Sequence, residues 1–336
     1  MTDLFKEPTG DPTLEAAMKA LEAKEGGRGH SRRVGGSSVG HECLRRGWYS
    51  FRWTSPSIMT ARGLLAVNDG HRGEIVLADL LKAVPGIELW TEDHEKPGSQ
   101  ISFELVDGHF VGKLDGVIVG ILQAPKTAHV WEAKVVNQKK VDKLKKDVLK
   151  FGEKNALEQW DAVYFAQAQM YMHGMGLTRH YLTVASPGVR EIISVRTDYQ
   201  PKMAQVFEGR AKSIVYGTRA PSRISNDPAF FGCKFCDHGE TCHGQRIPDV
   251  SCRTCAHSTP KPGGYWVCEL HGVETDYETQ QAACRKHRFH PDLVPGDFLK
   301  TDLDENSKEV LLYQVGGNVF IDGDKMDRLE DPRVPF

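Results

Sequence analysis

Seven of the eight cysteines fall between residues 233 and 284, and the eighth, Cys43, stands alone far upstream. The run FFGCKFCDHGETCHG sets Cys233, Cys236 and Cys242 in the pattern C-x2-C-x5-C. Soft metals bound by thiolates take four ligands, so this run needs one more from elsewhere. The remaining four, Cys252, Cys255, Cys268 and Cys284, form a set of their own, C-x2-C-x12-C-x15-C. Dividing eight cysteines into two fours makes Cys43 the missing ligand. Residues 43 and 233–242 must then meet in space, which constrains the topology before any strand is counted.

Reading thiols as ligands assumes a reducing compartment. The first 27 residues, MTDLFKEPTGDPTLEAAMKALEAKEGG, lack the basic and apolar regions of a secretory signal. The longest apolar stretch, around Gly116–Leu122, is strand-length, well short of the ~20 residues of a membrane span. A cytoplasmic protein without a membrane partner is the expectation. With 336 residues, 40% of them hydrophobic, the chain can bury one large core or two smaller ones. A formal net charge of −2 gives no global attraction to nucleic acid, so any such affinity must come from a local basic patch.

Periodicity predicts α, then β, then α-α-β-β-α. Leu14, Met18 and Leu21 suggest a helix within residues 1–25, followed by a flexible GGRGHSRRVGGSS. HECLRRGWYS suggests a short helix or turn. Ile75, Leu77, Leu80, Leu81 and Val84 form a helical stripe that Pro85-Gly86 ends. Strand patterns follow in IELWTE, QISFELVDG, HFVGKLDGVIVGI and HVWEAKVV, with Asp107-Gly108 as a hairpin turn. A lysine-rich helix over 139–154 keeps Val141, Leu144, Val148 and Phe151 on one face. A helix over 157–175, a β-hairpin around Pro187-Gly188 and a helix over 199–216 complete the pattern. This order predicts an α/β fold with a mixed sheet flanked by helices. Residues 295–336 carry a hairpin signal, VLLYQVGGNVFIDG, to which no function is assigned.

The chemistry concentrates in GKLDGVIVG and HVWEAKVV. Alternation along a strand puts Glu132 and Lys134 on one face, with Trp131 and Ala133 on the other. If the two strands are neighbours, Asp115 can face Glu132, and two convergent carboxylates suit a hard divalent cation such as Mg2+ or Mn2+. The lysine could then orient a water or stabilise charge developing at a phosphate. By itself D…E-x-K is common, and most such triples are solvated strand faces. Here Val117, Ile118, Val119, Val130 and Val135 mark core strands, on which charge must be compensated.

Further signals stand in order around this triple: Gly70-x-x-x-Glu74 before it, Gly112-x-x-Asp115 within it, Gln167-x-x-x-Tyr171 after it. Positions i and i+4 share a helical face. Together these residues resemble the PD-(D/E)XK nuclease superfamily, and within it the RecB-like exonucleases. The iron–sulfur members, including CRISPR-associated exonucleases and helicase–nuclease subunits, add one cysteine before the core and three after it. Cys43, Cys233, Cys236 and Cys242 match that arrangement. The resemblance covers roughly residues 36–245, and the whole chain is similar to phage and prophage nucleases with an appended cysteine-rich tail.

The resemblance implies a restriction-endonuclease-like core with Glu74, Asp115, Glu132 and the Val135 carbonyl as Mg2+ or Mn2+ ligands. It implies that Lys134 serves the attacking water and that Gln167 and Tyr171 position DNA or the lysine. Several relatives have His where this chain has Glu74, and His71 lies one helical turn earlier, so either could reach the metal; Glu74 is preferred. For the first cysteine set, spacing admits zinc or an iron–sulfur cluster, and the resemblance favours [4Fe–4S]. The second set reads as a zinc module, with His257, His271 and His287 as substitute ligands. Arg253, Lys261, Arg285, Lys286 and Arg288 leave a DNA contact open there.

The implied organisation is an N-terminal segment 1–35, a nuclease core 36–245, a zinc module 246–294 and a β tail 295–336. The implied activity is metal-dependent exonucleolytic hydrolysis of DNA, sequence-independent and at ends, for recombination or repair, with a single-strand annealing protein as a partner. Lys139, Lys140, Lys143, Lys145, Lys146, Lys150 and Lys154, with Arg45 and Arg46, would supply the phosphate contacts. A structure-specific endonuclease and a catalytically silent DNA-binding scaffold are the alternatives.

Overall fold

A computed structural model describes residues 10–325; the first nine positions of the N-terminal segment and residues 326–336 of the tail lie outside the described residues. Helices α1 (Pro12–Leu21), α2 (Leu44–Phe51) and α3 (Ala61–Lys82) precede the sheet, with a single helical turn at Gly36–Val39 between the first two. Strands β1 (Glu88–Trp90), β2 (Ser102–Leu105), β3 (Phe110–Lys113), β4 (Gly116–Val119) and β5 (His129–Val135) follow. Helices α4 (Gln138–Phe151), α5 (Glu153–Trp160) and α6 (Ala162–Met175) cross over to β6 (Arg179–Ala185) and β7 (Ile192–Asp198), and α7 (Pro201–Tyr216) closes the core.

The central sheet is mixed, in the order β7-β6-β5-β4-β1. Only β5 and β6 run parallel, as a crossover through three helices allows. Side chains alternate across it. Trp131, Ala133, Tyr181 and Ala185 pack with Leu77 and Ala78 of α3. On the other face Leu182, Val184 and Val195 pack with Val141 and Leu144 of α4, Leu157 and Trp160 of α5, and Phe165 of α6. The core is therefore an α/β/α sandwich, with its apolar residues where period-2 and period-3.6 patterning put them.

Several expectations need correction. The antiparallel strands do not form one meander: β2 and β3 leave the central sheet as an antiparallel pair, and β3 also pairs in parallel with a short strand, Val34–Gly35. Strand HFVGKLDGVIVGI accordingly breaks at Leu114-Asp115, and Asp115 lies in that break rather than on a strand. The helix expected over 157–175 breaks at Asp161, whose extended backbone lets its carboxylate cap Val163 and Tyr164. On α3, Leu77 is buried while Ile75 and Leu80 face solvent, because the covered face runs through Ala61, Leu64, Gly73, Leu77 and Ala78. The tail is a three-stranded sheet, β11 (Asp297–Leu303), β12 (Glu309–Val315) and β13 (Asn318–Asp322), after a small sheet β8 (Ser258–Lys261), β9 (Tyr265–Cys268) and β10 (Val273–Thr275) and helix α8 (Tyr277–Ala282). No helix among the described residues is long and apolar enough to cross a membrane.

Gly70, the glycine singled out by its spacing from Glu74, has open space where a side chain would stand. Gly73 makes the close approach: a Cβ there would meet a Val135 methyl at 2.3 Å. Its missing side chain lets α3 lie against β5 and brings Glu74 to the sheet. Thermal and urea denaturation should separate the two. Gly70→Ala should stabilise by about 0.5–1 kcal/mol through helix entropy, and Gly73→Ala should destabilise by about 1–3 kcal/mol through overpacking.

Candidate active site

Registration of β4 on β5 pairs Gly116 with Trp131 and Val117 with Val130, which brings Asp115 level with Glu132. The Ala133 N–H donates to Asp115 Oδ2 at 2.9 Å and fixes that carboxylate against β5. Lys134 donates to Glu132 Oε1, and its Nζ lies 3.8 Å from Asp115 Oδ2. As the side chains stand, this ammonium is the cation between the two carboxylates. Gln167 on α6 donates to the same Glu132 oxygen at 2.8 Å and has the Tyr171 hydroxyl 3.1 Å from its Nε2. Gly36 leaves room for both: a Cβ there would come within 2.7 Å of the Tyr171 ring.

Glu74 joins this group through its charge, since Asp115 and Lys134 are the charged groups that act on it. His71 is exposed on the same helix. The Val135 side chain packs against Gly73. Thus Glu74, Asp115, Glu132, Lys134, Gln167 and Tyr171 are brought to one site, with Val135 beside it. Spacing alone missed Tyr164, whose ring lies 5.6 Å from Lys134 Nζ, and Gly73. Tyr164 stands one turn before Gln167, and that helical spacing is the only sequence trace of it.

Electrostatics at this site are unbalanced. Burial pushes Glu132 up to about 8, with Lys134 opposing the shift and Asp115 and Glu74 reinforcing it. Burial also pushes Glu74 up to about 7, reinforced by Asp115. Burial alone would lower Lys134, but Glu132 and Asp115 override it and keep the ammonium charged. Glu132 Oε2 is buried without a hydrogen-bond partner. Burial thus holds Glu132 and Glu74 toward their protonated forms; once all three carboxyls ionise they exceed the one ammonium by two negative charges, the charge of one divalent cation, and offer it an unpartnered oxygen. The donor set is all oxygen, as Mg2+ and Mn2+ prefer.

The lysine-rich helix is less basic than its composition. Lys140 pairs with Asp161, Lys143 with Asp147, Lys145 with Glu191 and Lys154 with Asp198. Lys139, Lys146 and Lys150 are exposed and are the cations of this run left for a phosphate backbone.

The fold brings Cys43 to the other three cysteines of the first set. Cys43, Cys233, Cys236 and Cys242 line one cavity with Arg45, Arg46 and Tyr49, and the His238 backbone N–H points at the Cys236 sulfur. Cys252, Cys255, Cys268 and Cys284 line a second cavity with His257 and His287. Among the described residues no group of three or more His, Cys, Asp or Glu side chains stands ready to hold a metal ion.

No family model matches this chain, and no curated protein does. Among solved structures it is similar to SSO0001 at 15% identity and TM-score 0.36, over 71% of this chain and 99% of that one. It is also similar to LHK-Exo, an alkaline exonuclease from Laribacter hongkongensis, at 14% identity and TM-score 0.37, over 58% of this chain and 90% of that one. The same exonuclease in complex with dAMP matches at 13% identity and TM-score 0.37, over 55% and 86% of the two chains. At such distance the likeness carries no argument about activity, and the functional reading rests on the geometry of the site.

A carboxyl whose folded value is raised stabilises the fold fully below its unfolded value and loses that contribution as pH climbs through the folded one. In the presence of chelator, Tm should therefore fall as pH rises from about 4.5 to about 8, and Glu132→Gln should flatten part of the fall. Mg2+ or Mn2+ should raise Tm, and by more at the alkaline end of that window. A metal effect that is absent, or equal at both ends, would contradict a cation site built from these carboxylates.

Proposed function

We propose that this chain is a divalent-metal-dependent deoxyribonuclease that hydrolyses phosphodiester bonds at DNA ends. The observation that carries the proposal is the buried Glu132 carboxylate, held by Lys134 and Gln167 on one oxygen and unpartnered on the other, beside Asp115 and Glu74. Asp115, Glu132 and Glu74, with the Val135 carbonyl, would hold Mg2+ or Mn2+. That ion, when bound, supplies positive charge at the scissile phosphate and lowers the pKa of a water for in-line attack.

The chain's own groups do the rest. Lys134 places a permanent positive charge where negative charge develops on the phosphate oxygens. Gln167 holds Glu132 in orientation, and Tyr171, buried to 5% exposure, fixes Gln167. Asp115 is aimed by the Ala133 amide, so its position depends on strand register and not on a flexible loop. Lys139, Lys146 and Lys150 would bind phosphates without reading sequence.

The first cysteine set is proposed to hold a [4Fe–4S] cluster that ties residue 43 to residues 233–242, and the second to hold zinc. Both roles are structural and suit a reducing, cytoplasmic setting. On this reading the mixed α/β fold is a PD-(D/E)XK core with a cysteine-rich module, and processing of DNA ends beside an annealing protein is the biological setting that goes with it.

Anaerobically purified protein supplied with Mn2+ should release label from end-labelled linear DNA. Glu132→Ala and Lys134→Ala should lower the rate by at least about a hundredfold. The labelled end gives polarity. Cleavage of covalently closed circles would replace the exonuclease reading with an endonuclease. DNA binding without cleavage, unchanged in Asp115→Ala, would replace it with a scaffold.

A further inference from the structure

Arg52 and Arg253 are two buried cations that the active site does not use. They are 5% and 2% exposed, and neither forms an ion pair among the described residues. Their hydrogen bonds go to neutral groups. Arg253 donates to Gln280 Oε1 at 2.6 Å, to the Phe51 carbonyl at 3.3 Å and to the Arg32 carbonyl at 3.0 Å. Arg52 donates to the Arg253 carbonyl at 3.4 Å, and its Nε is buried without a partner. Both guanidinium groups lie over the Trp266 ring, at 5.6 and 4.3 Å. Asp292, whose charge reaches Arg52, is already engaged by Arg219 and the Ala220 amide. Two like charges in one apolar region with neutral partners only are strongly unfavourable. Ring faces of Trp48, Phe51, Trp53 and Trp266 offset part of that cost, and a countercharge nearby would offset the rest.

The second cysteine set is in that place. Arg253 follows Cys252 directly in the turn Cys252–Thr254 that leads to Cys255. Cys252 is a charge neighbour of Arg253, and Cys255 of Arg52. The Ser258 hydroxyl, on the strand position paired with Cys268, is buried in the same cavity without a partner. Four thiolates around a divalent ion carry two net negative charges, and the two guanidinium groups carry two positive ones.

We propose that Cys252, Cys255, Cys268 and Cys284 hold their divalent ion as a four-thiolate complex whose countercharges are Arg52 and Arg253. The inference rests on the zinc reading of this set. It gives the ion a task beyond folding the module. Arg253 reaches from the cysteine turn to the carbonyls of Arg32 and Phe51, at either end of the segment that contains Cys43 and α2. Loss of the ion would leave two uncompensated cations at the joint between module and core and loosen the segment that carries Cys43.

The test uses the full chain. Zinc per chain is measured by elemental analysis, zinc release by a chromogenic chelator, and Tm before and after stripping under reducing conditions. Arg52→Met removes the charge at similar volume, and Arg253→Lys and Arg253→Gln keep and remove it at the second position. The expected result is one zinc lost on Cys252→Ser or Cys284→Ser, and release accelerated roughly tenfold or more by Arg52→Met and Arg253→Gln but not by Arg253→Lys. Arg52→Met should lower Tm of the loaded protein and leave unchanged or raise that of the stripped protein. Absence of zinc that depends on these cysteines would overturn the zinc reading itself. Zinc present, with release the same in all variants or Tm lowered equally in both states, would overturn the countercharge proposal alone. Should Arg52→Met not fold, the Lys and Gln variants of Arg253 decide by the same release measurement.

Discussion

Glu132 is buried on the central strand with one carboxylate oxygen against Lys134 and Gln167 and the other without a partner. A carboxylate in that position is costly unless cations compensate it, and the surrounding structure is arranged around this need. Lys134 supplies one positive charge from the same strand face. Asp115 arrives through the β4–β5 register, Glu74 through the close approach of α3 at Gly73, and Gln167 through the cap that restarts the helix at Asp161. Three independent packing devices thus converge on one oxygen-lined site whose three carboxyls, once ionised, exceed its one ammonium by two charges.

Much of this was legible in the sequence because it depends on short-range periodicity. Alternation alone put Glu132 and Lys134 opposite Trp131 and Ala133, and Trp131 and Ala133 do pack beneath α3. The stripe of Val141 and Leu144 likewise faces the core. What was not legible depends on partners distant in the chain. Nothing local says that β3 pairs with Val34–Gly35 and that β2 and β3 leave the central sheet. The lysine run looked uniformly basic because Asp161, Glu191 and Asp198, which neutralise it, lie far downstream. Spacing singles out Gly70, and only the position of Val135 shows that Gly73 is the glycine the packing requires.

The segment before α3 connects the parts. Gly40 packs so close to α6 that a Cβ would meet the Val163 backbone at 2.6 Å, and Arg210 of α7 donates to the Val39 carbonyl at 2.8 Å. Two residues beyond His41 the chain reaches Cys43, and from there α2 carries it to Phe51 and the Arg52–Arg253 region. One stretch of about twenty residues therefore touches the Gln167–Tyr171 helix, the first cysteine cavity and the cysteine-rich module. Cys43 lies upstream because this segment is the thread through all three.

The central claim is that Asp115, Glu132 and Glu74 form a divalent-cation site poised against protons and Lys134. Calorimetric titration of the protein with Mn2+ at neutral pH, repeated in buffers of different ionisation enthalpy, measures both binding and the protons released with it. The account predicts binding coupled to proton release, with both lost in Asp115→Asn. Binding without proton release, or binding that Asp115→Asn leaves intact, would contradict it.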